Sequence, residues 1–572
     1  MFMHASWNGL YAHASSELGQ DILRTDLASN AFSVSDCACI RNAYRDGMVL
    51  TLEESAVLGL KDATVDQELQ CGGPADWVYP LLPSAVGSGL IDETTIDTSV
   101  RRILAAKFAL GLFEDPFTDP EAWKPVLRSP ANLEVALDAA TQSVVLAQNQ
   151  DNTLPLQLSS YKRIAVLGPN AACGTYGASG TGLCPAMMSM IGRLYNQHEP
   201  NFTIPTVLDV LKAAPGASNT DFIFQRGAEI DIRVVNHTQL NAAVNAAKSA
   251  DAVLMVLGDS ETSCIEGGGD HAGDRVDLDL PGSQMQLLEG VANALPAGTP
   301  LVVMLVNGRP ATFGAANWNS VLSRVDALLI GGRGGQRGAE ALVNVMTGVS
   351  EPSGRLAQAW PQRGADQLGP NVAPWYHPQL AAWGNTSIHR WEAAVWFKDS
   401  PEQDIPLFPF GHGLSYTSLS ATRVTTVVPI TPQPAPSSLP DTVLNNTIPV
   451  GSGKVPVLPG STVAQVICEV TNTGTRRGAF VAEVYAHDPL GLGVVRYYER
   501  LIAFKKVWVE PGQTAPVTIE ITADALAITG RPSDGYPVYV PAGTYGIFVG
   551  NSSDPRTWVP DGGGLGVPLE ID

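Results

Sequence analysis

The chain has 572 residues, yet it contains few charged residues and no long hydrophobic run. Charged residues make up 16% of the sequence, whereas globular proteins average about 25%. Acidic residues outnumber basic residues by 56 to 35, so the net charge is −21. Because such a chain repels a phosphate backbone, we expect no nucleic acid among its partners. The apolar runs, such as LVVMLV, are far shorter than the roughly 20 residues that span a bilayer, so we expect no membrane span.

Cysteine and histidine are also scarce. The 7 Cys and 9 His are scattered, and no CxxC pair occurs, so we predict no metal site. An odd number of cysteines in a long chain does not indicate a disulfide scaffold. Cys173 and Cys184 share one Gly-rich loop and can pair in an oxidising compartment. The N-terminus has no basic segment followed by an apolar one, so no signal peptide is visible.

Apolar residues are plentiful and occur in short runs. They make up 45% of the chain, which is enough for several cores and excludes wholesale disorder. Between residues 130 and 360, strand-like runs alternate with helical patterns such as residues 240–248 and 284–294. This alternation predicts a mainly parallel sheet with helices on both faces. The runs are RIAVL, AVLMVL, LVVMLV and ALLI, which begin at Arg163, Ala252, Leu301 and Ala327.

The two ends of the chain differ in the secondary structure that their sequences predict. Residues 100–112 show apolar positions at helical spacing, and Gly111 predicts the end of that helix. The Pro-rich run at residues 428–440 predicts an irregular connection. Residues 461–572 contain short strand-like runs between Gly, Pro and Asn turns, which predicts a small antiparallel β-sandwich.

Several motifs, in order along the chain, resemble glycoside hydrolase family 3. They are SVSDC from Ser33, RRILAAKFALGLFEDPF from Arg101, SVVLAQNQDNTLPL from Ser143, IAVLGPN from Ile164, DRVDLDLPGSQ from Asp274, PSGRL from Pro352, LFPFGHGLSYT from Leu407, NTG from Asn472 and PAGTY from Pro541. The resemblance extends from about Trp7 to about Asn551.

The resemblance implies a multidomain fold that combines α/β and all-β parts. We expect residues 1–120 to form the C-terminal part of a (β/α)8 barrel. Residues 121–390 would form an α/β sandwich domain that carries the acid/base loop. An irregular, Pro-rich connection would follow at residues 391–460, and residues 461–572 would form a fibronectin type III-like β-sandwich.

The resemblance also implies two catalytic carboxyl groups. Retaining hydrolysis needs an ionised nucleophile and a protonated acid about 5–5.5 Å apart. Asp36 matches the nucleophile of the family, although an Asp after a strand is also a common helix N-cap. Glu266 best matches the acid/base residue, because Gly267 follows it and an Asp-Arg pair lies ahead. Glu261 is the alternative in the same loop.

Two further segments invite a functional interpretation. Trp7 and Asn8 resemble a substrate-binding Tyr-Asn pair of the family, and the indole would stack on a sugar ring. Trp7 is equally well interpreted as a core residue. Residues 331–338 (GGRGGQRG) lack the Lys-Ser/Thr of a phosphate-binding loop, so we interpret them as a tight turn after a strand.

The resemblance thus implies an exo-acting, retaining β-glycosidase that needs no cofactor. Its substrates would be oligosaccharides or glycosides with terminal β-D-glucosyl or β-D-xylosyl residues. Cys37 resembles the β-xylosidase branch and the loop after AVLMVL resembles β-glucosidases, and we favour the glucosidase. The family implies an extracellular or secretory location, and the sequence does not indicate an oligomeric state.

Only about 120 residues precede the second domain, whereas a (β/α)8 barrel takes about 250. The family's early barrel strands have no counterpart in this chain. An open part of a barrel would expose strand edges and apolar faces. The alternative hypothesis is therefore a weak or inactive truncated relative that binds carbohydrate or protein.

Overall fold

The structure is a computed structural model that forms two compact units, Met1–Leu127 and Arg128–Asp572. Within the described residues, no helix is both long and apolar enough to cross a membrane. The described residues are 1–7, 9–69, 73, 77–172, 204–230, 236–260, 278–313, 321–360, 407–429, 434, 447–489, 491–492, 500–530, 538–553 and 567–571.

Most of the regular secondary structure in the described part of the first unit is helical. Its short strands β1 (Ser6–Trp7) and β2 (Leu10–Tyr11) pair antiparallel. The other elements of this unit are helical segments: Ala12–Ala14, Glu17–Asp26, Asn42–Arg45, Leu52–Val57, Leu58–Asp62, Tyr79–Leu81, Leu82–Gly87 and Glu93–Ala109. The helix predicted around residues 100–112 is confirmed, and Gly111, at a φ of 68°, follows its end.

Single residue pairs join three segments of this unit in parallel. Phe2 pairs with Ser35, and Val34 pairs with Gln67. The segment at Val34–Ser35 therefore lies in the middle, and helical segments connect it to its neighbours along the chain. This β-α-β-α-β order is what adjacent strands of a (β/α)8 barrel require. The partial barrel of residues 1–120 remains a prediction.

Large apolar side chains are exposed on the first unit. The exposed fraction is 85% for Leu50, 73% for Leu110 and 85% for Phe117. Single exposed apolar residues are ordinary, but this unit has many of them. Its buried cluster is small by comparison and centres on Ile40, Leu60 and Val65.

The second unit contains a six-stranded sheet that confirms the predicted strand runs. The strand order is β3-β8-β7-β6-β4-β5, in which β3 is an antiparallel edge strand and the other five strands are parallel. The strands are β3 (Val145–Asn149), β4 (Arg163–Leu167), β5 (Asp221–Gln225), β6 (Ala252–Gly258), β7 (Leu301–Val306) and β8 (Ala327–Ile330).

Helices cover both faces of this sheet. Alternate residues of β6 enter two separate cores, with Val253 and Met255 in one and Leu254 and Val256 in the other. The first core includes residues of the helices His237–Lys248 and Gln284–Ala294, and the second includes residues of Pro130–Ser143, Val207–Ala213 and Gly338–Met346. The prediction of an α/β sandwich with a mainly parallel sheet is confirmed for this part of the chain.

The C-terminal part forms a β-sandwich around a third core. One sheet has the order β15-β12-β9 and the other β14-β13-β18-β19. The strands are β9 (Leu419–Pro429), β10 (Ile448–Val450), β11 (Val455–Val457), β12 (Thr462–Asn472), β13 (Gly478–His487), β14 (Arg500–Val509), β15 (Thr514–Thr522), β16 (Ile528–Thr529), β17 (Val538–Tyr539), β18 (Gly543–Gly550) and β19 (Val567–Ile571), and a helical turn spans Ala523–Leu526.

The segment at residues 391–460 differs from the predicted irregular connection. Its described part includes the full strand β9, which pairs with β12 in the sandwich, and the hairpin of β10 and β11. The prediction gave too much weight to the prolines, because the sequence LSATRVTTV precedes them and is rich in β-branched residues. Pro429 is the last described residue of this strand and pairs with Ala464.

We expect Gly258→Ala to destabilise the second unit strongly. Gly258 ends β6 at a φ of 137°, and a Cβ atom there would lie 2.0 Å from the carbonyl oxygen of Val306. Gly298→Ala is the matched control, since Gly298 also has a positive φ of 82° but open space around it. Urea denaturation should give a loss of about 3 kcal/mol or more for the first variant and about 1 kcal/mol for the control. Equal losses would contradict the steric explanation.

Candidate functional site

Asp36 lies directly after the central parallel segment of the first unit. Its backbone amide donates to the carbonyl oxygen of Phe2 at 2.6 Å, so the neighbouring segment holds its main chain. The side chain is partly exposed, and its Oδ1 accepts a hydrogen bond from the amide of Cys37 at 2.7 Å. The alternative role as a helix N-cap is not observed here, because the N-cap of the next helix is Arg41.

A tight turn follows Asp36. Ala38 adopts a φ of 52°, a conformation that a residue with a Cβ rarely takes. The amide of Cys39 donates to the carbonyl oxygen of Asp36 at 3.2 Å and closes the turn. Cys37 forms a disulfide whose partner lies outside the described residues. Backbone strain of this kind concentrates at functional sites, and here it directs the chain away immediately after the carboxylate.

A buried ionic cluster centred on Asp66 contacts the segment that leads to Asp36. The carboxylate of Asp66 accepts from Arg24 at 2.7 Å and from Arg102 at 2.9 Å, and it also accepts from the amide of Ser33 at 2.9 Å. Asp66 is only 6% exposed. The cluster therefore ties the strand segment that leads to Asp36 to the helices Glu17–Asp26 and Glu93–Ala109. Asp66 could not be predicted from the sequence, since one carboxylate after a short apolar run gives no distinctive signal.

Trp7 lies in the β1–β2 hairpin, and its exposed fraction of 44% excludes the alternative of a core residue. Its indole N–H donates to Glu17 at 2.9 Å. No hydrogen bond or ring contact described in this unit joins Trp7 to Asp36. Nothing described tests substrate binding by Trp7, so it stays a prediction. Asn8 lies outside the described residues.

The loop predicted to hold the acid/base residue begins at the end of β6. Glu261 and Glu266 both lie outside the described residues, but the residues where the loop begins and returns are described. The fully buried side chain of Gln284 donates to the carbonyl oxygen of Gly258 at 2.6 Å and accepts from its amide at 2.9 Å. Asn170, which follows β4, donates to the carbonyl oxygen of Asp259 at 3.3 Å. Residues that follow β4 and β6 and the first residue of the helix Gln284–Ala294 thus meet at the start of this loop.

Asp259 reinforces the start of the loop by pairing with two neighbouring loops. The residue is only 2% exposed. Its carboxylate accepts hydrogen bonds from the amide of Gly308 at 3.0 Å and from the guanidinium of Arg333 at 3.2 Å. Arg333 belongs to the run GGRGGQRG, which follows β8 and, instead of a single tight turn, leads through the 3-10 helix Gly335–Arg337 into the helix Gly338–Met346. Ligands meet parallel sheets at this carboxyl edge. No sequence signal marks Asp259 as a positioning residue, because its partners Gly308 and Arg333 lie on other loops.

A buried histidine lies close to the turn at Asp36. The Nδ1 atom of His13 is 2.8 Å from the sulfur of Cys39, and the Tyr11 ring stacks on the imidazole at a centroid distance of 4.9 Å. Desolvation by burial lowers the pKa of His13 to about 4, and it raises the pKa of the Cys39 thiol to about 12. Both groups are therefore neutral near pH 7, and they pack the inner side of the turn.

We expect the first unit to lose stability in acid because of His13. Its pKa is about 4 when folded and about 6.5 when unfolded, so the unfolded chain binds the proton first. The stabilisation is complete above about pH 6.5 and is lost as the pH falls toward about 4, by about 3 kcal/mol. Urea denaturation of the full chain across this range measures it. His13→Asn should flatten the pH dependence, while the control His237→Asn in the second unit should retain it; the same slope in both would contradict this account.

Comparisons with known proteins cover nearly the whole chain. Residues 144–416 match the model of the glycosyl hydrolase family 3 C-terminal domain, and residues 480–553 match a fibronectin type III-like domain. A β-xylosidase of Formosa agariphila is 32% identical over 561 residues, which cover 96% of this chain and 67% of that protein. A periplasmic β-glucosidase of Salmonella typhimurium is 30% identical over 572 residues, covering 96% of this chain and 65% of that protein.

A solved β-glucosidase structure from Erythrobacter marinus has a TM-score of 0.72 with this chain at 27% identity. The match covers 96% of this chain and 66% of that structure. The chain thus spans about two thirds of the length of the relatives that it matches. The two domain matches also agree with the α/β sheet and the β-sandwich described above. The chain therefore belongs to glycoside hydrolase family 3, the O-glycosyl hydrolases of β-glucosidase and β-xylosidase type.

Proposed function

We propose that the chain is an exo-acting, retaining β-glycosidase that removes terminal β-D-glucosyl or β-D-xylosyl residues from oligosaccharides or glycosides. The observation that carries the proposal is the position of Asp36. Its carboxylate follows the middle one of three parallel segments and sits on a turn that Ala38 strains and a disulfide at Cys37 restrains. In barrels of parallel strands, catalytic side chains come from this end of the strands.

In the proposed reaction, the Asp36 carboxylate attacks the anomeric carbon and displaces the aglycone oxygen. Glu266 donates its proton to that oxygen, so that an alcohol leaves and a glycosyl ester remains on Asp36. Glu266 then takes a proton from water, and the water oxygen attacks the anomeric carbon and releases Asp36. Two inversions give net retention. Glu261 is the alternative for the second carboxyl group.

Trp7 and Asn8 are proposed to bind the sugar of the substrate. Trp7 is 44% exposed, and an exposed indole suits the apolar face of a pyranose. Glucosides are the favoured substrates and xylosides the alternative, and the relatives carry both names. An extracellular or secretory location is part of the proposal, and the disulfide at Cys37 supports it, since such bonds persist in oxidising compartments.

The second candidate is a weak or inactive relative that binds carbohydrate or protein. The exposed apolar side chains of the first unit favour it, because they leave apolar surface that a binding partner could cover. Phe117 and Leu50 are the extreme cases, each 85% exposed. Incomplete positioning around Asp36 would remove much of the rate enhancement of a glycosidase.

Chemical rescue separates these candidates and assigns both carboxyl groups. We expect the purified chain to hydrolyse aryl β-glucosides or β-xylosides with a β-configured first product. Asp36→Gly should lower kcat by a thousandfold or more, roughly the value of losing a nucleophile, and azide should then give an α-glycosyl azide. Glu266→Gly should lower kcat by about a hundredfold to ten-thousandfold, and azide should then give a β-glycosyl azide.

Glu261→Gly is the matched control, since Glu261 lies in the same loop. It should keep its activity without azide if Glu266 is the acid/base residue. Rescue of Glu261→Gly in place of Glu266→Gly would reassign the second carboxyl group. If the folded chain hydrolyses neither aryl glycoside, the proposed glycosidase activity is refuted and the second candidate is favoured. Release of monosaccharide from the non-reducing end of an oligosaccharide tests the exo-action.

A further inference from the structure

A cavity of about 480 Å³ lies between the α/β part and the β-sandwich of the second unit. Its size falls within the range of small-molecule sites. The α/β part contributes the end of the helix Pro130–Ser143 and the segment after the helix Gly338–Met346, and the sandwich contributes two arginines and a tryptophan. The side chains that decide its chemistry are Asp138, Gln142, Glu351, Arg476, Arg477 and Trp508.

The polar groups of this cavity balance in charge. The carboxylates of Asp138 and Glu351 oppose the two guanidinium groups of Arg476 and Arg477. A third charge of each sign lies beside the lining, since Arg477 pairs with Glu510 at 3.0 Å and the Lys506 ammonium lies 5.7 Å from the Trp508 ring. A ligand with a net charge would meet as much repulsion as attraction, so the lining favours a neutral ligand that offers both donors and acceptors. Sugar hydroxyl groups do both.

Glu351 supplies a carboxylate oxygen that accepts no hydrogen bond from any described residue. Its Oε1 atom accepts from the hydroxyl of Ser415 and from the amide of Tyr416. Its Oε2 atom is buried and makes no hydrogen bond with any described residue. A buried carboxylate oxygen without a partner is costly, and a ligand hydroxyl group would satisfy it.

Trp508 supplies an apolar surface at the edge of the same cavity. It is 38% exposed, and the guanidinium of Arg477 lies 4.8 Å from its ring centroid. Lys506 approaches the ring at 5.7 Å and is held by Gln142 at 3.0 Å and by Ser353 at 2.6 Å. Hydrogen bonds between the α/β part and the sandwich therefore hold Lys506 beside the Trp508 ring.

A second aromatic residue continues this surface along β14. Val507 and Val509 pack toward the sandwich core, so the alternating residues Phe504, Lys506 and Trp508 face outward. Phe504 is 68% exposed. At roughly 3.3 Å per residue, the two rings are about 13 Å apart along the strand, a span that more than one sugar ring is needed to cover.

We propose that this cavity and the outward face of β14 form a second saccharide site, which binds a neutral oligosaccharide with one ring stacked on Trp508. The hydroxyl groups of that ring would contact Glu351, Asp138 and the arginines. The site lies wholly within the second unit, so the inference goes beyond the proposed catalytic function and does not depend on the activity of Asp36.

Titration of the full chain with cellotetraose and with xylotetraose tests the proposal. Asp36→Asn serves as the background, so that no hydrolysis occurs during the titration. The readout is the indole N–H resonance of Trp508, assigned by its loss in Trp508→Phe. We expect a saturable shift at millimolar saccharide. Absence of a shift for both tetrasaccharides, with the chain folded, would overturn the proposal.

Calorimetric affinities of matched variants supply the second measurement. Trp508→Ala should weaken the binding of the tetrasaccharide by about tenfold, while Phe504→Ala should weaken it less. Trp123→Ala is the control, because Trp123 is 45% exposed and lies in the first unit; it should bind as the background does. Equal affinities of Trp508→Ala and Trp123→Ala would place the bound sugar elsewhere and overturn the proposal.

Inorganic sulfate tests the competing ligand class, since two arginines can also hold an anion. Sulfate that shifts the Trp508 resonance and blocks the tetrasaccharide would overturn a site for neutral sugars. Turnover of an aryl glycoside by the Trp508→Ala chain with Asp36 intact should equal that of the unaltered chain. A chain without turnover that still shows the Trp508 shift refutes the catalytic proposal and supports this one.

Discussion

Burial of the parallel strands on both faces is the constraint on which the second unit depends. Every residue of β6 and β7 is buried, and alternate side chains enter two different cores. Each Val or Leu buried in this way contributes about 1.5–3 kcal/mol. The strands cannot shift without exposing this surface, so the residues after their carboxyl ends have defined positions. Asp259, Gly308 and Arg333 meet there because β6, β7 and β8 are adjacent.

In the first unit, buried charged side chains fix the position of the candidate residue Asp36. Its apolar core is small, and the buried carboxylate of Asp66 joins two arginines and the amide of Ser33. Breaking such a buried pair leaves an uncompensated charge, which costs about 3–5 kcal/mol. Three residues beyond Ser33, the chain presents Asp36 on a turn with a left-handed Ala38. The position of the proposed nucleophile thus depends on an ionic cluster that is remote from it in sequence.

The two parts of the second unit are also connected by polar contacts. Lys506 of the sandwich donates to Gln142 and Ser353 of the α/β part, and Arg476 donates to the carbonyl oxygen of Gly348 at 2.7 Å. Burial lowers the pKa of Lys506 to about 8, and the charge of Arg355 contributes in the same direction. The cavity that we assign to a saccharide lies beside these contacts, so its shape depends on the docking of one part on the other.

Most of the second unit could be predicted from local sequence. The runs RIAVL, AVLMVL, LVVMLV and ALLI are continuous and apolar, and a strand that is buried on both faces requires that pattern. Strand β9 was not predicted, because the Pro-rich run beside it indicated an irregular connection although the residues before it are rich in β-branched side chains. Asp66, Asp259 and Gln284 were not predicted as positioning residues, because their partners lie on other segments and hydrogen bonding across loops leaves no periodic signal.

The sequence by itself determined the family, the order of the domains and the strands of the α/β sheet. Local composition and ordered motifs are sufficient for these, since each depends on residues that are close together in the chain. Only the tertiary structure decided that Trp7 is exposed, that Asp36 follows the middle of three parallel segments and that Trp508 borders a cavity with Glu351. Those facts depend on pairing between distant segments, and pairing follows from the packing of whole elements.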